Sequence, residues 1–381
     1  MLKHNLLILF IFFSFIAFAQ NNNAPSSYEV HDIKITGYLQ AQFQKAQSAG
    51  ISTWSGGDFD ENANSRFIIR RGRLKIYRVD KYSSIVFQLD GTQDGVRLMD
   101  AFIQLHGPTH PSLLFTAGLF NRPSGYSIVY SSGFRDFPER ARVFQTLMPR
   151  ERDLGIMISF HSKKIAKFLT LDLAMVIGSG LNARDYDSGK DLIGNLNFKF
   201  DNLAHQKLNI GFGASFYSGT VRGNTTTYFT AIPNEGSKVR RDYYGANFQI
   251  EYDRPFGNTT FKTEYIYGKQ PGIGASGSIT GPVASQSFNT QLLSNLYLRN
   301  FNGHYLWLTQ QIAKTRFTAL LAYDVYDPNT DVVENKIGLM TNNTTAGDIK
   351  FGTLGCGVTS AINLRLKLTI YNENVVNSHP T

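Results

Sequence analysis

Between Ile33 and Gln44 the chain sorts its side chains into two faces. Ile33, Ile35, Gly37, Leu39, Ala41 and Phe43 fall on one, and Lys34, Thr36, Tyr38, Gln40, Gln42 and Gln44 on the other. A period of two held over about a dozen residues predicts a β-strand with one apolar and one polar face. The alternation returns along the chain, for example in LNIGFGASF (Leu208 to Phe216) and LRLKLTIY (Leu364 to Tyr371). Elsewhere Leu154, Ile156, Ile158 and Phe160, Leu169, Leu171, Leu173, Met175 and Ile177, or Leu192, Gly194, Leu196, Phe198 and Phe200 form apolar rows. The opposite rows carry Asp153, Thr170, Asp172, Asn195, Asn197 and Lys199.

About 15 such strands can be drawn, each roughly 8 to 13 residues long, and the connections between them alternate in length. Short ones, such as Arg78 to Lys81, His106 to Ser112, Arg254 to Gly257 and Ala313 to Thr315, are interleaved with long ones. The long set comprises Ala46 to Ser65, Asn121 to Arg152, Ser179 to Lys190, Thr220 to Arg240, Lys269 to Asn300 and Pro328 to Gly347, with Gly91 to Gly95 the exception. A sandwich has no reason to sort its loops by parity, whereas an up-and-down barrel crossing a membrane puts short turns on one side and long loops on the other. The expected fold is therefore all-β: a transmembrane antiparallel barrel with short periplasmic turns and long extracellular loops. Polar residues inward and apolar residues outward call for a water-filled lumen, and about 16 strands is the size at which barrels become aqueous channels. Bacterial barrels have even strand numbers, so an odd count implies a closing strand not visible after Tyr371, or a misread region between Phe301 and Ile312.

The N-terminus supplies an address. Lys3 precedes an apolar run from Leu6 to Ala19 that ends in Ala17, Phe18 and Ala19, the pattern of a secretory signal with a small-residue cleavage site and too short to span a bilayer. We divide the chain into a signal peptide at 1–19, a linker at 20–32 and the barrel domain at 33–381. Cys356 is the single cysteine, so no intrachain disulfide is available and stability rests on packing and hydrogen bonds. Aromatic residues make up 13% of the chain and there are 34 glycines; no long apolar run follows the signal, as expected where only alternate residues face lipid.

The formal charge of +9 raises nucleic acid as a partner, but the cations form neither a basic tail nor a basic helix. Arg71, Arg73 and Lys75 instead share the polar face of one strand, with Arg70 breaking the period at a bulge or near the rim. Facing lipid at mid-membrane would cost such residues about 2 to 4 kcal/mol, so they are expected on the lumen wall. The connection after the fifth strand carries Arg122, Arg135, Arg140, Arg142, Arg150 and Arg152 against Asp136, Glu139 and Glu151. Guanidinium groups suit oxyanions by their planar fork and permanent charge, and rings of Arg or Lys make pores anion-selective. The alternative, that these arginines pair with acids and fasten the loop, stays open, above all for Arg140 and Arg152.

Three segments resemble the phosphate-selective porin O/P family. They are RFIIRRGRLKI (Arg66 to Ile76), DAFIQL followed by LLFTAGLFNRPSGYS (Asp100 to Ser127), and FPERARVFQTLMPRERDLGI (Phe137 to Ile156). The matching positions are Arg70, Arg71, Arg73 and Leu74; Asp100, Ala101 and Phe102; Gly118, Phe120, Pro123 and Gly125; and Glu139, Arg140, Arg152, Asp153 and Gly155. The resemblance is sharp from about Ile33 to Ile177. It implies a 16-stranded barrel in outer-membrane lipid, a homotrimer, passing small phosphate-like anions by diffusion. The loop after the fifth strand stands where porins fold a loop back into the lumen, and no cofactor is expected. Two readings of other classes are an outer-membrane barrel enzyme of lipase or protease type and a secreted β-rich adhesin.

Other signals carry less. Gly272, Gly274 and Gly277 spell a dinucleotide-like spacing with no helix to follow. Asp58, Asp60 and Asn62 have a calcium-loop spacing, but Ala63 and Ile69 occupy its glycine and glutamate positions. His106 and His110 flank a turn without a third metal ligand nearby. No catalytic or metal site is expected.

Overall fold

The computed structural model describes residues 33–51, 53, 57–162, 166–181, 185, 188–222, 238–272, 297–313, 315–332, 334–337 and 348–377. The expected signal peptide and linker, together with Gly274 and Gly277, lie outside the described residues. The described chain forms one 15-stranded sheet in which every strand pairs with its neighbours in sequence, and all pairings are antiparallel, the connectivity of an up-and-down barrel.

The strands are β1 (Ile33–Lys45), β2 (Ser65–Val79), β3 (Ser83–Thr92), β4 (Gly95–His106), β5 (Leu113–Asn121), β6 (Arg152–His161), β7 (Leu169–Val176), β8 (Asp191–Asn202) and β9 (Leu208–Arg222). They continue with β10 (Lys238–Arg254), β11 (Gly257–Gly272), β12 (Tyr297–Gln311), β13 (Phe317–Asp327), β14 (Phe351–Ala361) and β15 (Lys367–Asn377). The region in doubt, Phe301 to Ile312, is thus one strand. Burial follows the alternation: Leu154, Ile156, Ile158, Leu173 and Leu192 are exposed on the outer face, while Asp153, Asp172 and Asn195 are buried on the inner one. Cys356 is exposed and shares the outer face with Leu354 and Val358.

The expected closing strand is not among the described residues. β1 and β15 each pair on one side only. In an antiparallel order of fifteen the first and last strands run the same way, so they cannot extend the antiparallel ladder by pairing directly.

Two interruptions of register shape the wall at β2 and β4. Gln40 pairs with Arg71 and Ala41 with Ile69, which leaves Arg70 as the extra residue of a bulge, as the broken period anticipates. A second shift lies between Gln88 and Leu89, opposite Asp100 and Leu98. The connection from β5 to β6 holds two short helices, α1 (Gly125–Val129) and α2 (Arg142–Leu147). Here the lumen departs from a purely polar interior. Val143, Phe144 and Leu147 of α2, with Ile128, Phe137 and Met148, form an apolar cluster with inward side chains of β7 to β14, including Ile193, Tyr243, Ile266, Tyr305, Trp307 and Phe351. Inward polarity holds where the wall meets water and gives way where it meets the loop.

Candidate pore constriction

Residues 122–151 form a belt inside the barrel, attached to one wall after another. At β1, Tyr38 Oη lies 2.6 Å from Ser132 Oγ and Gln40 Nε2 donates to the Ser132 carbonyl at 3.1 Å. At β2, Arg70 Nε meets Glu139 Oε1 at 2.5 Å and Arg71 Nη2 meets Oε2 at 2.7 Å. At β11, Glu264 accepts from the backbone N–H groups of Tyr126 and Ser127 at 3.1 and 2.8 Å, and Lys262 Nζ lies 2.7 Å from Asp136 Oδ2. At β13, Asp324 accepts from the Arg142 N–H at 3.4 Å. At β15, Lys367 Nζ donates to the Arg135 carbonyl at 2.6 Å.

The loop also holds the two ends of the sheet close together. Ser132 is held by β1 and Arg135 by β15, and three residues span at most about 11 Å. The same short segment bridges the two strands left single-sided in the sheet.

Packing supports the polar anchors. The rings of Phe137 and Trp307 lie 4.9 Å apart, and those of Phe144 and Tyr305 5.9 Å. Gly303 on β12 lets α2 approach: a Cβ there would stand 2.7 Å from Val143 Cβ. Pro149 follows α2 and prevents its continuation, and the chain returns to β6 through Arg150 and Glu151, both left-handed at φ 60° and 64°. Two consecutive non-glycine residues in that region are strained. Glu151 is locked there, since its carboxylate pairs with both Arg140 and Arg152 and its carbonyl accepts from the Arg122 N–H at 2.9 Å.

Each candidate cation now has a location. Arg71 pairs with Glu139, Arg73 with Asp90 at 3.0 Å, Arg122 with Asp153 at 2.8 Å, and Arg152 with Asp100 at 2.9 Å. Arg140 pairs with Glu151 and donates from Nε to the Ser127 carbonyl at 2.6 Å. Arg135 is buried, with Nη1 3.8 Å from Glu139 Oε2, and its Nη2 has no hydrogen-bond partner. Arg142 stacks its guanidinium 4.1 Å above the Phe351 ring. Lys75 stands half-buried over Tyr77, and Arg150 is exposed. The fastening role weighed for Arg140 and Arg152 is what the geometry shows for them, and Arg122 shares it. Gln88, its amide turned so that it donates to Asp100 and accepts from Arg73, joins these pairs into a chain from Asp90 to Glu151.

The charges do not cancel. Glu139 answers three guanidinium groups, those of Arg70, Arg71 and Arg135. Burial alone would raise its carboxyl, but Arg71, Arg70 and Arg135 outweigh burial and hold it at about 2. Burial, then the neighbouring Arg71, push Arg135 down to about 9, so it stays cationic at neutral pH.

The amino-acid pattern did not single out Lys262, Glu264, Asp324 or Lys367 as anchors. Their inward parity was readable, but what they touch lies more than 120 residues away. Of the weaker motifs, Asp58 caps its own loop by accepting from the Thr53 N–H at 2.9 Å, and His106 lies 3.2 Å from Ser84 Oγ.

No protein-family model matches the chain, and no curated protein matches it by sequence. Solved structures do. OprB of Pseudomonas putida, at high pH, superposes with a TM-score of 0.58 at 8% identity, covering 90% of this chain and 89% of that one. An anion-selective porin from Comamonas acidovorans gives 0.56 at 12% identity, covering 91% and 89%. The outer-membrane channel DcaP of Acinetobacter baumannii gives 0.54 at 9% identity, covering 90% of each chain. At these identities the likeness speaks for architecture alone: the fold is that of the outer-membrane porin barrels.

Proposed function

We propose that the chain is an outer-membrane diffusion channel for small solutes, selective for anions of phosphate type, and not an enzyme. The observation that carries the selectivity is the three-to-one ratio of guanidinium groups to carboxylate at Glu139, on a loop that crosses the lumen. A fixed excess of cations beside an aqueous path lowers the barrier to anions and raises it to cations. The architecture shared with an anion-selective porin supports the reading, as do the porin O/P-like segments that supply Arg70, Arg71, Glu139 and Arg152. The reading includes a homotrimer in outer-membrane lipid, which sedimentation of the detergent-solubilised protein tests.

Reversal potentials in a planar bilayer under a KCl gradient test the selectivity. The expected sign is that of chloride permeation, with added phosphate lowering the chloride current. A potential of the opposite sign ends the anion reading, and absence of any channel activity ends the porin reading itself.

A further inference from the structure

Register fixes which outward residues share a level on β9, β10 and β11. Starting at the short turn after Arg254, the outward residues of β10 are Tyr252, Ile250, Phe248, Ala246 and Tyr244. Beside them stand Ile210, Phe212 and Phe216 of β9, and Phe261, Tyr265 and Tyr267 of β11. The step from Tyr252 to Tyr244 is eight residues, about 27 Å along the strand and about 20 Å along the membrane normal at the usual tilt, close to the height of an apolar barrel band.

At the next level the chemistry changes at once. Asp242 stands between Ser218 and Lys269, and beyond it on the same face come Arg240 and Lys238. Immediately below, the rings of Tyr244 and Tyr267 lie 5.8 Å apart. Tyrosines of this kind sit at the headgroup level of a bilayer, so Lys238, Arg240 and Lys269 stand at the height of the lipid phosphates, on the side of the long loops.

The local geometry suits an anionic headgroup. Asp242 is only 13% exposed and holds Arg240 Nε at 2.9 Å, while Ser218 Oγ donates to its other oxygen at 2.8 Å. Asp242 thereby fixes the guanidinium by its inner edge, and Arg240, 70% exposed, keeps its terminal nitrogens for an outside acceptor. Lys238 and Lys269 are exposed and have no acidic partner among the described residues. One carboxylate among three cations leaves the patch positive, above an aromatic floor that takes acyl chains.

We propose that the outward patch of Lys238, Arg240 and Lys269, with Asp242 as positioning residue, docks the phosphate groups of an anionic lipid in the outer leaflet. Fork-shaped pairing by Arg240 fits a phosphate monoester, and the lysines add point charge on either side of it.

Native mass spectrometry of the refolded full chain in detergent tests the site. The probes are a bis-phosphorylated glucosamine-disaccharide lipid and the same lipid without phosphate. The intact chain should retain the phosphorylated lipid at least tenfold better, and retention should fall as salt rises. Changing Lys238, Arg240 and Lys269 together to Gln should reduce retention to that of the dephosphorylated lipid, whereas Arg254→Gln at the opposite rim should leave it unchanged. Equal retention of the two lipids by the intact chain overturns the proposal even if the triple variant does not fold; so does undiminished retention by a folded triple variant, or an equal loss in Arg254→Gln. The measurement involves no current, so it stands or falls separately from the channel reading.

Discussion

Arg71 on the barrel wall and Glu139 on the inner loop form an ion pair 2.7 Å long, with 6% and 9% of their side-chain surfaces exposed. Such a pair adds little net stability when intact, because desolvating both ions offsets most of their attraction, but removing one partner strands the others. Glu139→Gln would leave Arg70, Arg71 and Arg135 facing one another. We expect a loss of about 3 to 5 kcal/mol, seen as a lower unfolding temperature in detergent, and noisier single-channel currents as the loop loosens. An unchanged melt would mean that the loop is held elsewhere.

The same carboxylate sets an acid limit. Its value of about 2 lies below the ordinary 4.5. A depressed carboxyl contributes stability that is fully present above its unfolded value and is lost as pH falls through its folded one. Thermal stability should hold from about pH 7 to pH 5 and decline between about 4.5 and 2. Glu139→Gln should flatten that decline, and melting curves of the two proteins at matched pH values make the comparison.

Arg70 owes its place to the bulge. In an unbroken strand Arg70 and Arg71 would face opposite sides, and Arg70 would point into lipid at a cost of about 2 to 4 kcal/mol near mid-membrane. Because Gln40 pairs with Arg71 and Ala41 with Ile69, both arginines reach Glu139. Deleting Arg70 should therefore leave the strand register intact on either side. The barrel should still show its heat-dependent mobility shift on gels, while the reversal potential moves toward zero as one of three cations is lost. Failure to fold would show that the bulge is needed to shape the wall.

What the sequence revealed and what it hid divide along physical lines. The strands, their outward rows and the irregularity at Arg70 were legible because period and parity are local properties. The inward fold of the loop was expected from its place after the fifth strand. The fate of its arginines was not legible: whether Arg122 meets a solute or Asp153 depends on pairing across 31 positions, and Arg152 finds Asp100 across 52. The apolar cluster inside the barrel was hidden for the same reason. Tyr305 and Trp307 occupy inward positions that a water-filled lumen would leave polar, and only the docking of Phe137 and Phe144 explains them.

Arg150 separates charge from anchorage. It is exposed and stands at φ 60°. A left-handed residue with a Cβ is strained by about 1 to 2 kcal/mol, a penalty glycine escapes; against that stands the greater backbone freedom glycine has in the unfolded chain. Arg150→Gly should accordingly leave the melting temperature unchanged or slightly raised. If Arg150 lies along the solute path, the same change should weaken anion preference, seen as a smaller reversal potential, with the loop still fixed through Glu151, Arg140 and Arg152. A marked loss of stability would instead show that the Arg150 side chain helps to hold the return to β6.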